Sequence, residues 1–302
     1  MIRADHLCKK FGRQEALRGL SLWVPEGSAY ALIGANGAGK TTAIRIFMNI
    51  VEAERGAATV LGVDSRRISP RELAQIGYVS ENQELPKRLT VGESLAYLRP
   101  FYPTWDRDLE RSILAQLRLP TGLRIDDLSH GMRMKMALLC ALPFRPRLLI
   151  LDEPLSGLDV LVRDEFMASL LQQAGEMTIL MSSHELNEIE GVATHVGFLD
   201  DGKLLFEESM DELRERFREV HVTLDRPASP PGHAPKEWLN LRTMGNVVTF
   251  VDSRFSEDRL GAEIGTLNGS VRNIDAQPMS LRSIFTTLAL VTRDAAELRP
   301  NR

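Results

Sequence analysis

The stretch from Gly34 to Thr42 constrains the fold of this chain more than any other part. It reads Gly-Ala-Asn-Gly-Ala-Gly-Lys-Thr-Thr, follows an apolar run over 30–33 and precedes a run with helical periodicity over 43–50. A glycine-rich loop between a strand and a helix presents backbone N–H groups to phosphate, and the helix adds its positive N-terminal end. Lys40 would reach the β- and γ-phosphates, and Thr41 would offer a hydroxyl to Mg²⁺. The sequence therefore predicts an α/β fold with a phosphate site. The alternative is a glycine loop that binds nothing.

Composition and charge limit the partners and the cellular compartment that we expect for this protein. The 302 residues carry a formal charge of −4, which argues against bulk attraction to nucleic acid or anionic lipid. Cys8 and Cys140 are far apart in sequence, as expected in a reducing compartment without a disulfide framework. Residues 1–12 lack the apolar core of a secretion signal, and no apolar run reaches the ~18 residues of a membrane span. We expect any membrane role to come through a partner.

A second feature is the acidic pair that ends the apolar run 147–151. In an open parallel sheet, ligands bind at the carboxyl ends of the strands, where Asp152 and Glu153 are expected to lie. Asp152 would hold Mg²⁺, and Glu153 would orient or deprotonate the attacking water. The alternative is an acidic pair that caps the turn before Pro154. His184 follows another apolar run, 178–181, in the same way.

The aromatic residue Phe11 lies in a polar segment, 9–13, upstream of the glycine loop. It would stack on a purine base or would be a partly buried residue at a strand end. The residues alone favour the second interpretation.

Between 84 and 145 the pattern becomes helical, with predicted helices over 91–98, 106–117 and 131–142. They interrupt the strand pattern and predict an inserted helical subdomain. The remaining predictions up to 218 are a strand over 76–79, a helix over 162–174, a hairpin over 196–206 and a helix over 210–217.

The residue pattern of the sequence changes after Val220. A proline-rich stretch, 226–235, predicts a linker or a long loop. Beyond it the pattern predicts a small α+β domain with strands over 247–251 and 270–276, helices over 257–267 and 281–290, and a frayed tail from Arg293.

Taken together, the motifs of residues 1 to about 218 resemble the nucleotide-binding subunits of ATP-binding cassette (ABC) transporters. Leu148–Glu153 is similar to the Walker B motif with its catalytic glutamate, Leu128–Met132 occupies the signature position, Ser156–Asp159 is similar to the D-loop, and His184 is similar to the switch histidine. Phe11 falls where the family has its adenine-stacking aromatic residue, which reverses the preference above. The residues that the resemblance places on ATP in this chain are Phe11, Gly34, Asn36, Gly37, Ala38, Gly39, Lys40, Thr41 and Thr42.

The resemblance implies a dimer that encloses two ATP molecules. Each ATP would lie between the glycine loop of one chain and the signature of the other, so Ser129 and Gly131 would serve the partner's γ-phosphate. His184 would contact the γ-phosphate beside Glu153, and Asp159 would link the two sites. The second chain is a copy of this one or a paralogue.

Two positions depart from the family pattern. The usual signature is Leu-Ser-Gly-Gly-Gln, whereas this chain has His130 and Met132 in place of a glycine and the glutamine. His130 would lie close enough to the phosphate for its charge to matter, or would be a solvent-facing residue at a helix start. At the Q-loop position the chain has Glu81, with Gln83 two residues later; we assign the metal role to Glu81 ahead of Gln83.

The whole-chain prediction is a P-loop NTPase of the ABC ATPase type, in residues 1–218, followed by a C-terminal α+β domain in 219–302. The cassette comprises a RecA-like core sheet, an antiparallel β subdomain and the helical subdomain of about 84–145. Segments 84–90 and 101–105 would lie near a groove that receives a permease, or their aromatic residues would be ordinary core.

The Met-rich stretch 129–136, the segment 101–106, the C-terminal extension and the string 279–285 resemble the ABC-2 branch, which is mostly associated with export. The family resemblance implies ATP and Mg²⁺ as cofactors. It places the protein in the cytoplasm, held at the inner face of the cell membrane by an integral permease, and no nucleic acid partner is expected. The alternatives are a soluble ABC ATPase without a transport role and a regulatory cassette with little hydrolysis.

Overall fold

The computed structural model describes residues 1–175, 177–227, 234–265, 267 and 270–288. Residue contacts divide the chain into two units, Met1–Glu208 and Ser209–Arg302. The second unit begins just before a helix that the sequence analysis assigned to the first domain.

The strands of the first unit are β1 (Ile2–Phe11), β2 (Gln14–Val24), β3 (Ala29–Ile33), β4 (Arg55–Val60), β5 (Val63–Asp64), β6 (Ile76–Ser80), β7 (Leu148–Asp152), β8 (Thr178–Ser183), β9 (His195–Asp200) and β10 (Lys203–Ser209). Its helices are α1 (Lys40–Phe47), α2 (Pro70–Leu73), α3 (Val91–Leu98), α4 (Arg107–Gln116), α5 (His130–Ala141) and α6 (Val160–Ala174). Single 3₁₀ turns cover Ser65–Arg67, Arg99–Phe101, Ile125–Asp127 and Leu186–Glu188.

The central sheet of this unit positions the site. Its strand order is β10-β9-β3-β8-β7-β6, and the five strands from β9 to β6 run parallel. Every residue of β7 and β8 is buried, as expected for strands covered on both faces. The register pairs Ile33 with Ser183 and Asp152 with Ser182, so the carboxyl ends of β3, β7 and β8 meet at one edge.

A second, antiparallel sheet has the order β2-β1-β4-β5. Its apolar side chains join the core of the central sheet and of α1, where Leu7, Leu20, Ile44 and Phe47 are fully buried. This core fixes α1, and with it the loop that precedes α1.

Helices α3, α4 and α5 lie between β6 and β7 in sequence, as predicted. Thr90 and Glu93 form a capping box at the start of α3, and Asp106 accepts backbone N–H groups at the start of α4. The aromatic residues of this region separate into two groups. Tyr102 stacks on Phe144 with a centroid distance of 4.1 Å, whereas Tyr97 and Phe101 are exposed.

The second unit contains α7 (Met210–Arg216), β11 (Arg218–Leu224), β12 (Trp238–Met244), β13 (Val247–Asp252), α8 (Glu257–Ile264), β14 (Val271–Pro278) and a helix over 281–288. Its strands form an antiparallel sheet in the order β12-β13-β11-β14. Val220, Val222 and Phe250 face α8, and Trp238 stacks on Phe250 at 3.9 Å.

Two strands of this sheet were not predicted from the sequence. Strand β11 alternates buried and half-exposed residues directly after α7, where the first domain was expected to end. Strand β12 follows the proline-rich stretch, of which residues 228–233 lie outside the described residues. The predicted tail from Arg293, and the end of the predicted helix over 281–290, also lie outside them.

Candidate nucleotide site

The loop between β3 and α1 has a backbone that only glycine can follow at key positions. Gly37 and Gly39 have φ values of 85° and 111°, in the left-handed region that favours glycine. A Cβ atom at Gly34 would lie 2.1 Å from the carbonyl oxygen of Leu199, and one at Gly39 would lie 2.5 Å from that of Ala16. The glycine pattern is therefore required by close packing of the loop against strands β9 and β2.

We expect Gly34→Ala to destabilise the protein strongly. The added methyl group would overlap the Leu199 carbonyl oxygen, a backbone atom that cannot move aside alone. We expect this overpacking to lower the free energy of unfolding by about 3 kcal/mol. Urea denaturation measures the change. Gly122→Ala is the matched control, because nothing lies within 4 Å of its added Cβ atom. Equal stability of the two variants would contradict the packing argument.

Lys40 lies at the centre of the loop with a side chain that is only 4% exposed. Its Nζ atom donates hydrogen bonds to the carbonyl oxygens of Gly34 at 2.6 Å and Ala35 at 3.1 Å. The same ammonium lies 2.9 Å from Oε1 of Glu153. The positive charge is thus held at the carboxyl edge of the sheet, where three strand ends converge.

Glu153 connects this charge to the end of β8. Its Oε2 atom lies 2.7 Å from Nδ1 of His184, and its backbone N–H donates to Oγ of Ser182 at 2.9 Å. Its φ of 51° lies in the left-handed region, which is uncommon outside glycine. The carboxylate is therefore fixed between an ammonium and an imidazole, an arrangement suited to orient a water molecule or to accept its proton.

Asp152 is buried one residue earlier, at the end of β7. Its Oδ1 atom accepts hydrogen bonds from Oγ1 of Thr41 at 3.0 Å and from Oγ of Ser182 at 2.8 Å. Burial raises the pKa of the Asp152 carboxyl above its ordinary value, although both hydroxyl groups act in the opposite direction. A carboxylate that burial penalises in this way is a favourable place for a cation.

Most of the predicted site residues line an open cavity of about 410 Å³. Those lining it are Phe11, Asn36, Gly37, Gly39, Lys40, Thr41, Thr42, Glu81, Glu153 and His184. Gly34, Ala38 and Asp152 are predicted residues that do not line it. Glu81 lines the cavity, whereas Oε1 of Gln83 accepts a hydrogen bond from the backbone N–H of Ser80.

Ser129, Gly131 and Asp159 also lie outside this cavity. Ser129 caps α5 by accepting from the backbone N–H of Met132 at 3.2 Å, and Asp159 caps α6 by accepting from that of Val162 at 3.0 Å. A Cβ atom at Gly131 would lie 2.9 Å from Cγ1 of Val162, so the starts of the two helices are in close contact.

Several residues of the site were missed by sequence analysis. Gln14, Ala16 and Ser156 line the cavity, and Ser182 binds both Asp152 and the backbone of Glu153. Ser182 could have been predicted as a site residue, because it is a small polar residue directly after the apolar run 178–181. Strand ends at this edge of the sheet face the ligand.

The fold and the site define a P-loop ATPase whose nucleotide cavity lies at the carboxyl edge of a parallel sheet. The ABC transporter family model matches residues 17–156. The uncharacterized ABC transporter ATP-binding protein YhaQ of Bacillus subtilis is 31% identical over 302 residues, covering 94% of this chain and 97% of the relative. The bacitracin transport ATP-binding protein BcrA of Bacillus licheniformis is 32% identical over 222 residues, 72% of each protein. A solved ATP-binding subunit of an ABC transporter is 28% identical, with a TM-score of 0.65, over 71% of this chain and 92% of its own.

The chain belongs to the family of ABC transporter ATP-binding proteins. The predicted fold class, ATP binding and ATPase activity are thereby confirmed. The family resemblance drawn from the motifs is confirmed as well, whereas the roles given to single residues stay predictions.

Proposed function

We propose that this chain hydrolyses ATP as one half of a dimer and powers export through a separate membrane permease. The observation that carries the proposal is the convergence of Lys40, Glu153 and His184 in one cavity, at the ends of three adjacent parallel strands. Lys40 would bind the phosphates, and the contacting carboxylate and imidazole would position the attacking water, which are functions that ATP hydrolysis needs.

The nucleotide would lie along this cavity from Phe11 to Glu153. Phe11 is 49% exposed and lines the cavity, and the Lys9 ammonium lies over its ring, 5.4 Å from the centroid. The opposite ring face would stack on adenine. The backbone N–H groups of the glycine loop and the start of α1 would bind the phosphates, and Lys40 would neutralise the β- and γ-phosphates. Phosphate oxygens would then compete with Glu153 for the Lys40 ammonium.

The donor set fits a magnesium ion. Thr41 and Asp152 present oxygen atoms 3.0 Å apart, and Thr41 and Glu81 both line the ATP cavity. No cluster of three or more acidic, histidine or cysteine side chains forms a metal site within the described residues. Mg²⁺ is bound by one or two carboxylates together with waters and substrate phosphates, which matches the oxygen donors of Thr41, Asp152 and Glu81. The ion would neutralise the charge that develops on the β- and γ-phosphate oxygens.

Hydrolysis would depend on the two residues at the far end of the cavity. Glu153 would accept the proton of the attacking water or hold that water in line with the γ-phosphate. His184 would hold the Glu153 carboxylate and contact the γ-phosphate. The 2.7 Å contact between the two side chains supports this pairing.

A second chain would complete each site. Ser129 and Gly131 at the start of α5 lie outside the cavity of their own chain, as required of residues that serve a partner's ATP. Val160 and Leu161 follow Asp159 and are 70% and 75% exposed, although both are apolar. Exposed aliphatic side chains beside a helix start fit an interface between subunits.

The permease would dock at a groove of about 360 Å³ between the core sheet and the helical segment. Leu85, Tyr97, Leu98 and Phe144 are among the residues that line it. No helix in the described ranges is long and apolar enough to span a bilayer. From the family resemblance, a separate integral membrane protein would supply the translocation path, and docking on it would hold this chain at the inner face of the membrane. Export is proposed from the resemblance to the ABC-2 branch.

We expect Tyr97→Asp to remove the permease from the purified complex. Tyr97 is 58% exposed and lines the groove, so a carboxylate there would be desolvated by a docked helix. The test is affinity purification from detergent-solubilised membranes, followed by measurement of the integral membrane protein recovered. We expect recovery to fall at least ~10-fold, the loss of about 1.4 kcal/mol.

Trp23→Asp is the matched control, because Trp23 is 59% exposed but does not line the groove. Its recovery of the membrane protein should equal that of wild type. Equal recovery with Tyr97→Asp would contradict docking at this groove. Recovery of ribosomes or DNA in place of a membrane protein would contradict the transport function itself.

A further inference from the structure

His130 replaces a glycine of the usual signature, and its ring contacts a different part of the same chain. Its Nε2 atom donates a hydrogen bond to the backbone carbonyl oxygen of Ser156 at 3.2 Å. A Cβ atom added to Gly157 would lie 3.7 Å from Nε2 and 3.8 Å from Cδ2 of His130, which would be its nearest neighbours. The imidazole therefore lies against the backbone of 156–157. A glycine at position 130 would leave this contact out.

The helices on either side of this contact are packed together. Gly131 on α5 lies against Val162 on α6, with room for no side chain between them. One turn further along, Lys135 of α5 forms an ion pair with Glu165 of α6. The start of α5, which carries the signature, is thus held to the start of α6, which follows the D-loop.

The segment that His130 contacts leads back to the ATP cavity of its own chain. Ser156 lines that cavity together with Glu153. The backbone N–H of Ser156 donates to the carbonyl oxygen of Glu153 at 3.3 Å, which closes a turn between the two residues. The His130 ring and the backbone of Glu153 are therefore joined through a single residue, Ser156.

We propose that His130 is a positioning residue that couples the two half-sites of one chain. This inference rests on the proposed dimer, in which Ser129 and Gly131 bind the partner's ATP while Glu153 faces its own. When the start of α5 closes on the partner's γ-phosphate, the imidazole transmits that movement through Ser156 to Glu153. Hydrolysis at one site then depends on occupancy of the other, and the dependence runs within the chain as well as across the interface.

The test compares two substitutions of nearly equal bulk in the full-length protein. His130→Gln retains an N–H donor at the reach of Nε2, whereas His130→Met fills similar space without a donor. ATPase rates are measured against ATP concentration, and the Hill coefficient and kcat are obtained for each variant. Binding of ATP to the Glu153→Gln form of each variant is measured separately.

We expect a Hill coefficient near 2 for wild type and His130→Gln, and a value near 1 with about 10-fold lower kcat for His130→Met. All forms should bind ATP equally at the glycine loop of the single chain, because His130 does not line the ATP cavity of its own chain. A structural role alone would lower the thermal stability of His130→Met without changing cooperativity. A wild-type Hill coefficient of 1, unchanged cooperativity in His130→Met, or the same defect in His130→Gln would overturn the proposal. Failure of the proposed function gives a different result, a wild type that hydrolyses no more ATP than Glu153→Gln.

Discussion

Replacing Glu153 by glutamine is expected to lower the ATPase rate at least ~100-fold, the contribution of a general base. The amide has the shape of the carboxylate but cannot accept the proton of water. It also carries no charge, so it no longer competes with phosphate for the Lys40 ammonium, which lies 2.9 Å from Oε1. ATP binding should be retained or strengthened. The measurement is phosphate release at saturating ATP, together with the Kd for ATP.

Glu52→Gln serves as the matched control, because Glu52 is exposed in the segment after α1 and does not line the cavity. Its activity and affinity should equal those of wild type. If wild type, with its permease present, hydrolyses ATP no faster than Glu153→Gln, the regulatory interpretation replaces the enzymatic one. A Glu153→Gln variant that loses ATP binding would show that the carboxylate has a structural role instead.

Replacing Lys40 by methionine is expected to weaken ATP binding about 100-fold, equivalent to about 3 kcal/mol. Methionine keeps the aliphatic stem that is buried in the loop but removes the ammonium that would bind the phosphates. It also leaves Glu153 without its ion-pair partner and the carbonyl oxygens of Gly34 and Ala35 without their donor. Isothermal titration with ATP measures the loss.

Lys203→Met provides the comparison for a lysine that is exposed on β10. It removes the same charge from the protein without touching the cavity, so its Kd should be unchanged. Equal weakening in both variants would mean that overall charge, and not the placement of Lys40, governs affinity. Retained affinity in Lys40→Met would remove that residue from the proposed phosphate contacts.

The sequence was most informative where function requires a local pattern. Gly34 to Thr42 predicted a strand, loop and helix, and the structure has β3, the loop and α1 in that order. Asp152, Glu153 and His184 were predicted at strand ends because apolar runs precede them, and the parallel register then brings those ends together. The helical periodicity over 91–98 and 106–117 likewise predicted α3 and α4, which the structure has at Val91–Leu98 and Arg107–Gln116.

The features that were not predicted depend mostly on contacts between residues that are distant in sequence. The hydrogen bond from His130 to Ser156 spans 26 positions and joins a helix start to a turn, so neither local pattern reveals it. Ser182 binds Asp152 only because β7 and β8 are neighbours. Strand β11 was missed because its polar residues alternate with apolar ones directly beside a helix, where a domain end was expected.

The backbone of Glu153 has a consequence for how this protein evolves. With a φ of 51°, a residue other than glycine is held in a conformation that costs of order 1 kcal/mol or more. Burial of its carboxylate adds to that cost, while the ion pair with Lys40, the contact with His184 and the hydrogen bond from its N–H to Ser182 offset part of it. Random substitution that improves folding would tend to replace glutamate there with glycine. Glycine would also remove the carboxylate that is proposed to act on water, so stability and the proposed activity oppose each other at this position.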